Sequence, residues 1–134
     1  MISTRYKKFS MALVQLAQAN EIFEKYRSTE LSNSLRDSLI KRFEFSYELL
    51  WKCFKDYLSE QFGSITRSPR EAFQEAFEKN LVSTHEHNLL LNMIDDRNMT
   101  SHTYDEKTAQ EVADAIPNHL ELMQTLTQRV FPRE

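Results

Sequence analysis

A single glycine constrains this chain more than any other feature. Gly63 stands alone among 134 residues, and the prolines are three: Pro69, Pro117 and Pro132. Tight hairpins draw on residues that accept positive φ, and glycine does so at least cost. A chain with one such residue is left with helices joined by short polar turns. A Walker loop and a dinucleotide-binding turn each need more than one glycine, so both are excluded. The expected fold is all-α, with about five helices. Residues 1–134 are expected to form one domain around one core.

Apolar residues recur at intervals of three and four. The first helix is expected to start at Ser3 or Thr4 and to bury Phe9, Leu13, Leu16, Ala19 or Asn20, and Phe23. It should end between Arg27 and Glu30, where Ser28 and Thr29 favour a turn. The second is the longest, roughly Leu31 to Phe62, with a stripe of Leu35, Leu39, Phe43, Tyr47, Leu50, Phe54 and Leu58. Ile40, Phe45, Leu49 and Trp51 make other sides apolar and leave only a narrow polar row at Lys41, Glu44, Glu48, Lys52 and Lys55. A helix wrapped so widely needs several neighbours, which places it centrally. Gly63 is placed to end it.

Ser68-Pro69-Arg70-Glu71 starts a short third helix, with Ser as N-cap, Pro at the first position and Glu in capping-box register. Ala72, Phe73, Ala76 and Phe77 are its stripe, and it should end near Asn80. Ser83-Thr84-His85-Glu86 repeats the box and opens the fourth helix. Asp105 is the expected N-cap of the fifth, which carries Val112, Ala115, Ile116, Leu120, Met123, Leu126 and Val130. Pro117 should kink or briefly break it. The end, Pro132-Arg133-Glu134, is expected to fray.

Between the fourth and fifth helices the apolar rhythm stops. Asp95-Asp96-Arg97-Asn98-Met99-Thr100-Ser101-His102-Thr103-Tyr104 gathers carboxylate, guanidinium, amide, hydroxyl, imidazole and phenol groups. Read as continuous helix at about 100° per residue, it puts Asp95, Asn98 and His102 on one face. Arg97 and Ser101 fall one row over, with Arg97 in reach of His102. An imidazole with an ordinary pKa of roughly 6.5 moves protons near neutrality, and a guanidinium fork matches phosphate oxygens. The pair suits in-line attack on a phosphodiester. The same residues also fit a helix C-terminus, with His102 as a capping cation and Arg97 in a surface ion pair.

The formal net charge is −3, so any nucleic-acid contact has to come from a local basic site or a partner. Cys53 lies in an aromatic-rich run and reads as a small core residue, which fits a reducing compartment. No apolar run approaches the length of a membrane span, and a cytoplasmic location is expected. His85 and His87 diverge on a helix, as do Asp95 and Asp96, so neither a structural metal site nor a magnesium site is expected.

Arg97-Asn98-Met99-Thr100-Ser101-His102-Thr103-Tyr104 fits Arg-x4-His-x-Tyr, and the chain resembles HEPN-domain proteins of the HepT type. Phe45-Ser46-Tyr47-Glu48-Leu49-Leu50-Trp51-Lys52, Ser68-Pro69-Arg70-Glu71-Ala72-Phe73 and the run from Asp95 to Glu106 are similar to the branch called nucleotidyltransferase substrate-binding proteins. The resemblance implies an all-α, up-and-down antiparallel bundle with a four-helix core that forms homodimers, with two Arg-x4-His motifs facing across a cleft. It implies a partner, a minimal nucleotidyltransferase encoded nearby, and no cofactor. In HepT-type pairs the HEPN chain is a metal-independent ribonuclease toxin, neutralised when its partner attaches AMP to the motif tyrosine. In the other reading it is a non-catalytic subunit that presents substrate or nucleotide to the nucleotidyltransferase. Carried over, Arg97 would bind the scissile phosphate, His102 would be the general acid/base, Asn98 would orient it or the substrate, and Tyr104 would accept AMP. Asp95, Asp96 and Ser101 would support them.

Overall fold

A computed structural model describes residues 4–132. It contains α1 (Thr4–Lys25), α2 (Ser32–Phe62), α3 (Pro69–Glu78), α4 (Thr84–Met99), a 3-10 turn (Thr100–His102) and α5 (Glu106–Arg129). Ser3, the other expected start of the first helix, lies outside the described residues, as do Arg133 and Glu134 of the expected frayed end.

Contacts between distant residues set the helix directions. Arg5 meets Asp56 and Arg42 meets Gln15, so α1 and α2 run antiparallel. Asp96 meets His119 and Glu86 meets Arg129, so α4 and α5 do too. Arg36 reaches Glu106 while Phe43 stacks on His119, which makes α2 and α5 parallel. The long helices therefore go up, down, up and down, with short α3 packed between α2 and α4. As expected, α2 is central and packs against α1, α3 and α5.

Its stripe is buried from Leu39 through Leu58, with Leu35 partly covered. Of the apolar residues on its other sides, Ile40 and Leu49 are buried, Trp51 is partly buried and Phe45 is 53% exposed. Cys53 is buried as expected, and burial pushes its thiol up from the ordinary range.

The turns follow local chemistry. Gly63 takes φ 68°, and the Gly63 and Ser64 N–H groups bond the Ser59 and Leu58 carbonyls. A side chain at this φ would be strained, so the sole glycine sits where it is needed. Asn80, also at positive φ, ends α3 in the same way, with the Leu81 N–H bonding the Ala76 carbonyl. Ser68 accepts from the Glu71 N–H, but Glu71 answers the Ser68 hydroxyl rather than its backbone, so this box is half made. The Ser83–Glu86 box is complete.

Pro117 does not break α5, which runs unbroken from Glu106 to Arg129. Buried Ile116, Leu120 and Met123 pin the helix on both sides of the missing donor. Phe131, beyond the last helix, closes the core. Its ring stacks on Tyr6 and meets Phe9, Phe54 and Tyr57 edge-on.

Glu86 also receives two bonds from the Arg129 guanidinium, at 2.7 and 2.9 Å, which tie the start of α4 to the end of α5. Those bonds, then the Ser83 N–H, hold the Glu86 carboxyl below the usual carboxylate range. A depressed folded pKa adds stability above the unfolded value of about 4.3 and loses it as pH falls through the folded value. Urea midpoints should therefore drop from pH 6 towards pH 3, and Arg129→Gln should flatten that acid slope. An unchanged slope would mean that the pair contributes nothing to folding.

Candidate functional site

The polar stretch sits where α4 ends. Leu90, Met93 and Ile94 anchor the buried face of α4. After Ile94 the next buried residue is Thr100, so the intervening turn is held by polar contacts. Met99 is the last α-helical residue, and the chain tightens into the 3-10 turn before Asp105 caps α5. Of the two readings, continuous helix and helix C-terminus, the stretch takes the second, and α4 ends at Met99. The cause is local: side-chain hydroxyls bond the last carbonyls of α4. Thr100 Oγ1 donates to the Arg97 carbonyl at 2.7 Å, and Ser101 Oγ donates to that of Asn98 at 3.0 Å. Thr103 Oγ1 donates to the Thr100 carbonyl at 3.3 Å. Such bonds compete with helix continuation.

The tightened turn brings His102 and Tyr104 together. Their ring centroids are 6.0 Å apart and nearly perpendicular. Tyr104 is 86% exposed, and His102, Asn98, Ser101 and Asp95 are exposed as well. Arg97 is partly covered and faces α2. Its Nη1 donates to Thr100 Oγ1 at 3.0 Å and lies 3.7 Å from Glu44 Oε2. No hydrogen bond or ion pair joins Arg97 to His102 among the described residues. The carboxylate beside Arg97 is Glu44, and Asp96 turns inward to His119 at 2.6 Å.

Buried Tyr47 lies beneath this surface. Burial pushes its phenol up to about 12, and the positive charge of Arg97 works against that shift. Of the histidines set aside as metal ligands, His85 is exposed and His87 stacks on Phe77 at 4.9 Å. Among the described residues, no three His, Cys, Asp or Glu side chains converge as a metal site. No helix there is long and apolar enough to cross a membrane.

Sequence reasoning missed two residues. Glu44 was one of a solvated polar row, and its approach to Arg97 depends on how α2 and α4 pack. His119 sits inside an apolar stripe, and the residues three and four away from it, Ala115, Ile116, Leu122 and Met123, are all apolar. Its position, i+3 from Ile116 and i−4 from Met123, was the available signal.

One end of the bundle thus carries an exposed imidazole, an exposed phenol and a partly covered guanidinium. This set can move a proton, accept a transferred group and neutralise a phosphate.

Residues 4–131 match the family described as "Nucleotidyltransferase substrate binding protein like". No curated protein sequence matches significantly. Among solved structures, a protein from Thermus thermophilus is 33% identical, with a TM-score of 0.71 over 85% of this chain and 97% of that one. A Haemophilus influenzae protein, described as revealing the fold of a substrate binding domain of a nucleotidyltransferase, is 22% identical. It gives a TM-score of 0.79 over 92% of this chain and 96% of its own. A tri-AMPylated Shewanella oneidensis HEPN toxin, solved in complex with MNT antitoxin, is 19% identical. Its TM-score is 0.74, with 94% and 92% covered.

Proposed function

The chain belongs to the family of nucleotidyltransferase substrate binding protein-like chains, and from that membership we propose that it is the HEPN toxin-type component of a pair with a minimal nucleotidyltransferase. In this reading it is a metal-independent endoribonuclease that acts as a homodimer in the cytoplasm. Arg97, His102 and Asn98 form the reacting site. His102 takes the proton of a ribose 2′-hydroxyl, and the oxygen attacks the adjacent phosphorus. The bond to the 5′-oxygen breaks, a proton returns to that oxygen, and a cyclic phosphate remains. Arg97 neutralises charge on the phosphoryl oxygens as the transition state forms. Within one chain Arg97 and His102 do not touch. A second copy supplies the other half of the site.

The observation that carries this reading is the exposed Tyr104 hydroxyl, on a turn held by three side-chain bonds and edge-on to His102. Such a phenol can enter another protein's active centre, and a bulky phosphate ester on it would obstruct His102. The fold shared with an AMPylated HEPN toxin supports the same role. Tyr104 would attack the α-phosphorus of ATP and release pyrophosphate.

The test is incubation with the neighbouring nucleotidyltransferase and ATP, read by intact mass. Wild type should gain AMP, Tyr104→Phe should gain none, and the modified protein should lose RNA cleavage. AMP on Tyr104→Phe would place the acceptor elsewhere.

One observation favours the second reading, a non-catalytic subunit that presents nucleotide or another substrate. The Arg97 guanidinium is already engaged by Thr100 and Glu44. That reading requires a stable complex and nucleotide binding without RNA cleavage.

A further inference from the structure

The proposed chemistry makes no use of the contact between Asp96 and His119, yet that contact lies next to Arg97. His119, on α5, is 7% exposed and stacks on Phe43 of α2, with ring centroids 5.4 Å apart at 18°. Its Nε2 is 2.6 Å from Asp96 Oδ2. The arrangement that avoids opposed lone pairs has Nε2–H donating to the carboxylate. A neutral ring with its proton there and a charged ring both satisfy this. The imidazole is therefore fixed by Phe43 on its face and by Asp96 at its edge.

Asp96 belongs to the part of α4 with the least apolar anchorage, between buried Ile94 and buried Thr100. On a helix, fixing the direction of one residue fixes its neighbours at about 100° steps. With Asp96 turned inward to α5, Arg97 faces Glu44 of α2 and Asn98 faces solvent. Rotation of this turn would move the guanidinium and the start of the 3-10 turn together.

We propose that His119 is a positioning residue of the Arg97–His102 site, acting through Asp96 to set the direction of the last turn of α4. The inference rests on reading Arg97 and His102 as the reacting groups. Without its partner, Asp96 is left as a partly covered carboxylate beside the apolar Phe43 layer, and the turn swings outward to hydrate it. Displacements of about 1 Å in a positioned group can cost on the order of 100-fold in rate.

The experiment compares wild type with His119→Leu, His119→Gln, Asp96→Ala and the double variant His119→Leu with Asp96→Ala. Leu16→Ala, in the core of α1, serves as a destabilised control. Three quantities are read: cleavage of a short single-stranded RNA, amide exchange over residues 96–104, and the His102 imidazole resonances. His119→Leu should cleave about 10- to 100-fold more slowly, exchange faster over residues 96–104 and shift the His102 signals. His119→Gln keeps a donor where Nε2 was and should behave close to wild type. Asp96→Ala also loses the tether but leaves no carboxylate to hydrate, so it should change the same readouts by no more than His119→Leu, and the double variant should match Asp96→Ala. Leu16→Ala should lower stability and leave the other readouts in place.

Unchanged exchange and unchanged His102 resonances in His119→Leu would overturn the inference. So would the same local changes in Leu16→Ala. If wild type leaves RNA intact, the ribonuclease reading fails, and exchange and resonances still decide the role of His119.

Discussion

His102→Ala should lower RNA cleavage by about 10²- to 10⁴-fold, the range expected when a general acid/base is removed. It should do so with little change in stability. The His102 ring is exposed, and it meets the edge of Tyr104. The bond that helps close the turn is made by the His102 backbone carbonyl, which accepts from the Asp105 N–H at 3.1 Å. Alanine keeps that bond, and surface substitutions of this kind usually change stability by less than about 0.5 kcal/mol. Arg97→Ala should also abolish cleavage, but it loses the bond to Thr100 and the approach to Glu44 as well. It is the less clean variant. Single-turnover cleavage and growth after induced expression measure the effect, with circular dichroism as the folding check. Cleavage by His102→Ala at the wild-type rate would remove His102 from the chemistry. A well-folded wild type that leaves RNA and growth unaffected would favour the substrate-binding subunit.

The largest stability effect is expected at Phe54→Ala, about 3–5 kcal/mol. Its ring is fully buried on central α2 and meets Phe73 of α3 at 5.8 Å and Phe131 at 5.0 Å. Removing it takes away the transfer energy of a benzyl group. It also opens a cavity between elements that reach the ring from different parts of the chain. Total stability of a domain this size is about 5–15 kcal/mol, so much of the margin would go. Urea unfolding measures the loss directly. A cost below about 1 kcal/mol would mean that the aromatic layer relaxes far more than close packing normally allows.

Much of the fold was legible because it follows from rules acting over one or two turns. The stripe on α2, the αL cap at Gly63, the Ser83–Glu86 box and the Asp105 cap are local features. Each depends on residues within four positions of one another. The residues of the candidate site were legible as types, because a ten-residue run broken by a single apolar residue, Met99, is unusual after an apolar helical stretch. Their arrangement was less so. Thr100 and Ser101 compete for the Arg97 and Asn98 carbonyls of α4, and that competition ends the helix at Met99, where spacing left a continuous helix and a helix end both open. Pro117 shows the opposite case. Local chemistry favoured a break, and burial of the residues on either side kept the helix whole.

The sequence by itself determined that this chain is helical, where most helices start and stop, and which stretch has chemistry to offer. Periodicity, capping and a lone glycine carry that information, and all act at short range. Only the tertiary structure decided that Asp96 meets His119 of α5 while Arg97 meets Glu44 of α2. It also decided that Arg36, 5% exposed, is held bidentately by Glu106 from 70 residues away. The same holds for Phe131, which lies beyond the last helix and fills the gap among α1 and α2. These pairings depend on how far each helix is rotated about its own axis. That rotation is set by the close packing of all its neighbours at once, and no short window of sequence contains it.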